Sequence, residues 1–249
     1  MNEEKFSGKA AVYAKFRPTY PDAFISYLYS DVGFQTSSVI ADIGAGTGIF
    51  SKLLASKSRA VLCVEPNSDM LETARRELAG YPNCALVKAT AENTTLDNHS
   101  VDFVTVAQAF HWFDRSRFKA ECKRILRSRG KVVLVWNTRD SADSLTIETA
   151  SINQEFCPDF QGFSRGSEAS PSAYADFFKD GCCEHKVFRN SLVFNEAEFI
   201  GRNLSGSYAP QESSSYDAYV REIRGLFQRH SKDGTLTVPN ITRSYAGEV

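Results

Sequence analysis

Apolar residues along positions 39–136 follow two alternating rhythms. Short continuous runs occupy 39–43 (Val39, Ile40, Ala41, Ile43), 60–64, 84–88, 101–107 and 131–136. Such runs predict strands buried on both faces of a parallel sheet. Between them the apolar positions recur every three or four residues: Ile49, Phe50, Leu53 and Leu54, then Met70, Leu71, Ala74 and Leu78, then Phe118, Cys122, Ile125 and Leu126. Each set makes one face of an amphipathic helix. A further helix over 22–30, with Phe24, Ile25 and Leu28 inward, precedes the first strand. Asn67 or Ser68 and Asp114 are expected N-caps, and Gly80 and Gly130 are expected to close their helices. Arg124, Arg127 and Arg129 then suit the last turn of a helix by its dipole. Strands alternating with helices predict an α/β fold.

The alternation breaks near Arg139. Residues 143–180 are expected to be irregular to helical, with Ser/Gly punctuation at 164–172, and to form a lid or substrate-recognition insert. Residues 186–194 predict a strand, 196–204 and 216–230 helices, and 235–245 a last strand interrupted at Pro239. The 249 residues suffice for one large domain. It divides into an N-terminal arm and helix (1–30), a cofactor-binding core (31–138) and an insert with the last strands (139–249).

A net charge of −1 gives no bulk attraction to nucleic acid. No run nears the ~20 apolar residues of a membrane span, and the acidic start, residues 1–5, is no secretion signal. Six scattered cysteines form no C-x-x-C pair, so no metal site is indicated. They are expected as reduced thiols of a cytoplasmic protein, a monomer or homodimer, with Cys63 and Cys122 buried and Cys182–Cys183 an incidental pair at a strand edge.

The candidate chemistry starts where the first strand ends. Asp42 is followed by Gly44, Gly46 and Gly48, and a helix begins at once. Glycines serve where a chain turns tightly or a ligand approaches the backbone, and a helix start offers free N–H groups. The spacing is G-x-G-x-G, one residue tighter than the G-x-G-x-x-G of dinucleotide-binding folds. A second acid, Glu65, ends the second strand, where a carboxylate can accept both hydroxyls of a ribose. Strands one and four should flank the point where strand order reverses, so 42–48 and 108–114 should face each other across a ligand.

The acid–x–G–x–G–x–G pattern with its second acid resembles class I S-adenosylmethionine-dependent methyltransferases. The pattern Tyr13-x-x-x-Arg17-Pro18-x-Tyr20-Pro21 resembles the N-terminal arm of their type 11 subgroup, which includes trans-aconitate methyltransferases. The resemblance implies a Rossmann-like seven-stranded sheet in the order 3-2-1-4-5-7-6, strand seven antiparallel, with helices on both faces. It implies S-adenosyl-L-methionine as cofactor, held by Tyr13, Arg17, Asp42, Gly44, Ala45, Gly46, Glu65, Pro66, Met70, Ala91, Glu92 and Gln108. The arm would fold over the cofactor; packing of its aromatics on the sheet edge is the alternative. Tyr20, His111, Trp112 and Phe113 are the candidate residues for a small-molecule acceptor. Methyl transfer from a sulfonium chiefly requires alignment and exclusion of water, which the aromatics Phe110, Trp112 and Phe113 suit. His111, the residue of this segment whose side-chain type can take a proton near neutral pH, is the candidate general base; contact with the acceptor and simple packing are its other readings. Other readings of the chain are a cofactor-binding protein without catalysis, a nicotinamide oxidoreductase, and an RNA or protein methyltransferase. The glycine spacing disfavours the oxidoreductase, and the neutral charge disfavours RNA.

Overall fold

A computed structural model describes residues 19–163, 171–206, 208–210 and 215–249. Its centre is strand β1 (Val39–Ile43), which pairs in parallel with β2 (Ala60–Val64) on one side and β4 (Val101–Ala107) on the other. Strand β3 (Cys84–Val87) extends the sheet beyond β2, and β5 (Leu126–Arg139) beyond β4. The sheet is completed by β9 (Asn240–Gly247), antiparallel to β5, and β6 (Glu184–Arg189), antiparallel to β9. The order is β3-β2-β1-β4-β5-β9-β6, the seven-stranded arrangement that the resemblance implied, with β9 as the antiparallel strand.

The helices follow the apolar faces. On one side of the sheet, α1 (Asp22–Tyr27), α2 (Ile49–Ala55) and α3 (Ser68–Glu77) bury Phe24, Phe50, Leu54 and Ala74 against Val61, Val133 and Val135. On the other, α4 (Arg115–Ile125) buries Phe118, Cys122 and Ile125 with Trp136, Tyr174 and Phe177. Asn67 caps α3 by accepting from Met70 N–H, and Asp114 caps α4 by accepting from Arg117 N–H.

Several boundaries differ from expectation. Helix α1 is shorter and continues as a π turn, Leu28–Val32. Gly80 and Gly130 close no helix: α3 ends at Glu77, and α4 runs directly into β5. Arg127 therefore lies in the strand, paired with Asp102 at 2.9 Å, while Arg124 pairs with Glu121 at 2.7 Å. Arg124 does sit in the last turn of α4, as expected, and also pairs with a carboxylate; Arg127 and Arg129 lie beyond the helix.

The two late strands each break in two, and the halves exchange partners. Residues 186–194 supply β6 and a separate β7 (Leu192–Phe194), and 235–245 supply β8 (Leu236–Val238) and β9. β7 and β8 form their own two-stranded sheet. The break is held by Asn190 N–H donating to Asn240 O at 2.8 Å, and Pro239 lacks the donor that would continue a ladder. The 143–180 segment contains a 13-residue helix, α5 (Ser144–Phe156). With α6 (Glu196–Leu204), α7 (Tyr216–His230) and β7–β8 it encloses a third apolar cluster around Phe199, Tyr219 and Leu226. All six cysteines are free thiols, Cys63 and Cys122 buried. No helix of the described residues is long and apolar enough to cross a membrane.

Candidate active site

The site lies at the carboxyl ends of β1, β2 and β4. Asp42 is almost fully buried there. Its two oxygens accept from Ser51 Oγ on α2 at 2.6 Å and Thr105 Oγ1 on β4 at 2.8 Å. Burial raises its pKa to about 6, against the lowering effect of the two hydroxyl donors. Asp42 therefore ties the glycine turn's flanking elements together from behind. It does not line the cleft described below, as was expected of it.

Beyond Asp42, Gly44, Gly46 and Gly48 all have positive φ (70°, 58° and 84°). Two are also sterically fixed. A Cβ on Gly44 would stand 2.6 Å from Ala109 Cβ, and one on Gly48 would stand 2.9 Å from Leu78 Cδ1. Segments 42–48 and 108–114 thus meet directly, as the strand order required. Around Gly46 nothing lies within 4 Å of the Cβ position; its bare face belongs to a cleft of about 230 Å³.

One wall of the cleft is Glu65 with Pro66 and Met70. Glu65 is buried, and its carboxylate accepts from Gly46 N–H and Asn67 N–H, both at 3.0 Å. The opposite wall is Gln108, Trp112 and Phe113. Gln108 has φ 61°, a left-handed conformation costly for a residue with a side chain. It is held by its N–H on Val135 O at 2.9 Å and its Nε2 on Asn137 O at 3.0 Å. Ala91 and Glu92 close the third side. Glu92 accepts from Asp114 N–H at 2.9 Å, joining that side to the 108–114 segment. The same loop is pinned by Glu121, which accepts from Thr94 N–H at 2.7 Å and Thr94 Oγ1 at 2.5 Å.

Four expected site residues do not line this cleft. Ala45 packs against the core. Tyr20 is buried against Phe50 (ring centroids 4.8 Å apart) and Phe24. His111 stands exposed on the 3-10 turn Phe110–Trp112, its ring 4.8 Å from that of Trp112. Asp42 lies behind the turn. Phe110 likewise turns away, into the core among Phe118, Trp136, Tyr174 and Phe177. Tyr13 and Arg17 lie outside the described residues. At Thr19, the first described residue, the backbone O accepts from Asn137 Nδ2 at 3.2 Å and Asn190 Nδ2 at 2.9 Å, and Asn137 O in turn accepts from Gln108. Thr90, Ala107 and Ala109 line the cleft without having been singled out. Each adjoins an expected position, and their signal was only the end of a strand.

The glycine turn and its two acids therefore form a cradle whose bare centre is Gly46 and whose single cleft-lining carboxylate on that wall is Glu65. Residues 41–134 match the family described as methyltransferase domain. An uncharacterized methyltransferase-like protein of Schizosaccharomyces pombe is 35% identical over 246 residues, which is 98% of this chain and 94% of the relative. The chain belongs to the S-adenosylmethionine-dependent methyltransferase family. An uncharacterized methyltransferase of Mycobacterium bovis is 38% identical over 135 residues, 54% of this chain. The matched part spans about half (53%) of that relative's own length. The solved structure of a candidate type II methyltransferase from Anaeromyxobacter dehalogenans superposes with a TM-score of 0.68 at 20% identity, covering 94% of this chain and 98% of that one. At that identity the likeness concerns the fold: the same doubly covered methyltransferase sheet.

The residues present fit the family's cofactor. Gly46 leaves open the space that a Cβ would fill. Glu65 sets a carboxylate beside that open space, held by Gly46 N–H and Asn67 N–H, and a carboxylate is an acceptor suited to ribose hydroxyls. Ala91 and Met70 add apolar surface suited to a base ring.

Proposed function

We propose that the chain transfers a methyl group from S-adenosylmethionine to a small-molecule acceptor by in-line displacement. The observation carrying this is the Glu65 carboxylate fixed beside the open face of Gly46. When bound, the cofactor would supply an electrophilic methyl on a cationic sulfur. Glu65 would hold the ribose, the 44–46 backbone the methionine end, and Ala91 with Glu92 would border the adenine. Trp112 and Phe113 wall the cleft with aromatic surface. Because charge on sulfur is lost as reaction proceeds, such a surface excludes water without penalising the transition state. The acceptor reaches the cleft from the side of 108–113, beneath α5–α7. His111 lies outside the cleft lining and is left a contact to the acceptor, because an anionic acceptor atom would bring no proton to remove. Calorimetric titration with S-adenosylhomocysteine tests the reading. Micromolar binding is expected, and its absence together with unaltered response to NADH would overturn it.

A further inference from the structure

Strand β5 outruns its neighbour. β4 ends at Ala107, in register with Val135, whereas β5 continues four residues to Arg139, opposite Asn240 of β9. At about 3.3 Å per residue this extension reaches ~13 Å past the edge where the cleft lies. Its last residue, Arg139, is 9% exposed. The guanidinium lies 4.0 Å over the ring centroid of Phe163, and its Nη2 donates to Asn203 Oδ1 on α6 at 3.2 Å. No ion pair engages it among the described residues, although lysines and arginines at the surface find carboxylates repeatedly. Among the described residues, the titratable groups that act on its charge are the phenols of Tyr208 and Tyr219.

An arginine cannot shed its proton to escape burial. A buried charge without a counter-charge is costly, and proteins retain one where a partner arrives. Asn203 is itself buried and is oriented by donating Nδ2 to Phe199 O at 2.9 Å, so the fork is held by one neutral acceptor with donors to spare. The planar fork matches a carboxylate in two parallel hydrogen bonds. Two residues earlier on the same strand, the backbone O of Asn137 accepts from Gln108 Nε2 in the cleft wall, so the β5 extension that carries Arg139 starts at the cleft.

We propose that Arg139 is the acceptor-recognition residue: it binds a carboxylate of the methyl acceptor under the α5–α7 cover, while another atom of that acceptor reaches the cleft. This rests on the methyltransferase reading for the acceptor's role, and the carboxylate contact can be read without cofactor.

The test uses the full chain and a panel of short-chain mono-, di- and tricarboxylates, each paired with its amide. Thermal shift without cofactor and S-adenosylhomocysteine formation with cofactor are both recorded. The wild type should respond to at least one carboxylate and not to its amide. In Arg139→Met that response should vanish and the acceptor KM should rise at least about tenfold, the scale of one lost charged hydrogen-bond pair. S-adenosylhomocysteine affinity should be unchanged, and the unliganded Arg139→Met protein should melt no lower than wild type, because the charge it loses has no counter-charge among the described residues. A merely structural arginine would instead lower the melting temperature and leave acceptor preference intact, which overturns the proposal. So does a wild type that answers no carboxylate, or that prefers amides or phosphate esters. If Arg139→Met does not fold, Arg139→Lys decides: retained charge without the fork should weaken carboxylate binding, and unchanged KM overturns the proposal. A wild type that binds carboxylates through Arg139 but not S-adenosylhomocysteine would sink the methyltransferase reading alone.

Discussion

Gly46 N–H donates to Glu65 Oε2 at 3.0 Å. The acid at the end of β2 thus fixes the glycine turn at the end of β1, while its other oxygen holds Asn67 N–H, the start of α3. One carboxylate sets the positions of two walls of the cleft. Glu65→Ala should weaken S-adenosylhomocysteine binding by about 1–3 kcal/mol, the range for hydrogen bonds to a charged group. Gly46→Val, which fills the open face and forces a branched residue to positive φ, should abolish binding with the fold retained. Calorimetry and far-ultraviolet circular dichroism check the pair; wild-type affinity in both variants would remove the cofactor assignment from this cleft.

Gly44 and Ala109 are pressed together, with 2.6 Å between a Gly44 Cβ and Ala109 Cβ. Gly44→Ala should cost about 1–3 kcal/mol, from overpacking and from strain at φ 70°. Adding Ala109→Gly should recover the overpacking part and leave the strain. Urea denaturation of the double-mutant cycle measures the coupling; strictly additive effects would show that the two segments do not press on each other.

Asp42 gives the fold a pH signature. Its pKa is raised from 3.8 to about 6, first by burial. The native state therefore holds a proton that the unfolded chain has released, and stability falls as pH rises from about 4 through 6, then levels. The full effect is of order 3 kcal/mol. Asp42→Asn, with hydroxyl partners that can reorient, should lose this slope. Denaturation midpoints at closely spaced pH values from 4 to 7.5 read it directly, and identical slopes in both proteins would discount the burial argument.

His111 is exposed and outside the cleft lining, while a general base must come within hydrogen-bond reach of the proton it takes. His111→Ala should leave cofactor affinity unchanged and act on acceptor KM, with turnover altered less than about tenfold. A fall of about 10²-fold in turnover would restore the base.

The chain's two tryptophans occupy different settings: Trp112 lines the cleft, 38% exposed, and Trp136 is buried in the aromatic core. S-adenosylhomocysteine should change the intrinsic fluorescence through Trp112. Trp112→Phe should abolish that change without removing binding.

The sequence by itself determined the first five strands, the helices between them, and the glycine turn between Asp42 and α2. Each is a local pattern: continuous apolar runs need burial on both faces, three-to-four spacing needs one buried face, and positive φ at Gly44, Gly46 and Gly48 needs glycine. It could also place Glu65, because the carboxyl ends of parallel strands share one edge. Tertiary structure decided what depends on partners distant in the chain. Pro239 marked one interruption in the sequence, but the break at 190 and the exchange of partners between the halves are decided only when β6 joins β9 and β7 joins β8. Tyr20 and Trp112 are both aromatics flanking the site in sequence, yet one packs on Phe50 and the other faces the cleft, because α1 turns Tyr20 beneath α2. Arg139 looked like the point where a pattern ended. Its burial under Phe163 and Asn203 comes from segments at least 24 residues away, and no local periodicity encodes which side chain a later helix will cover.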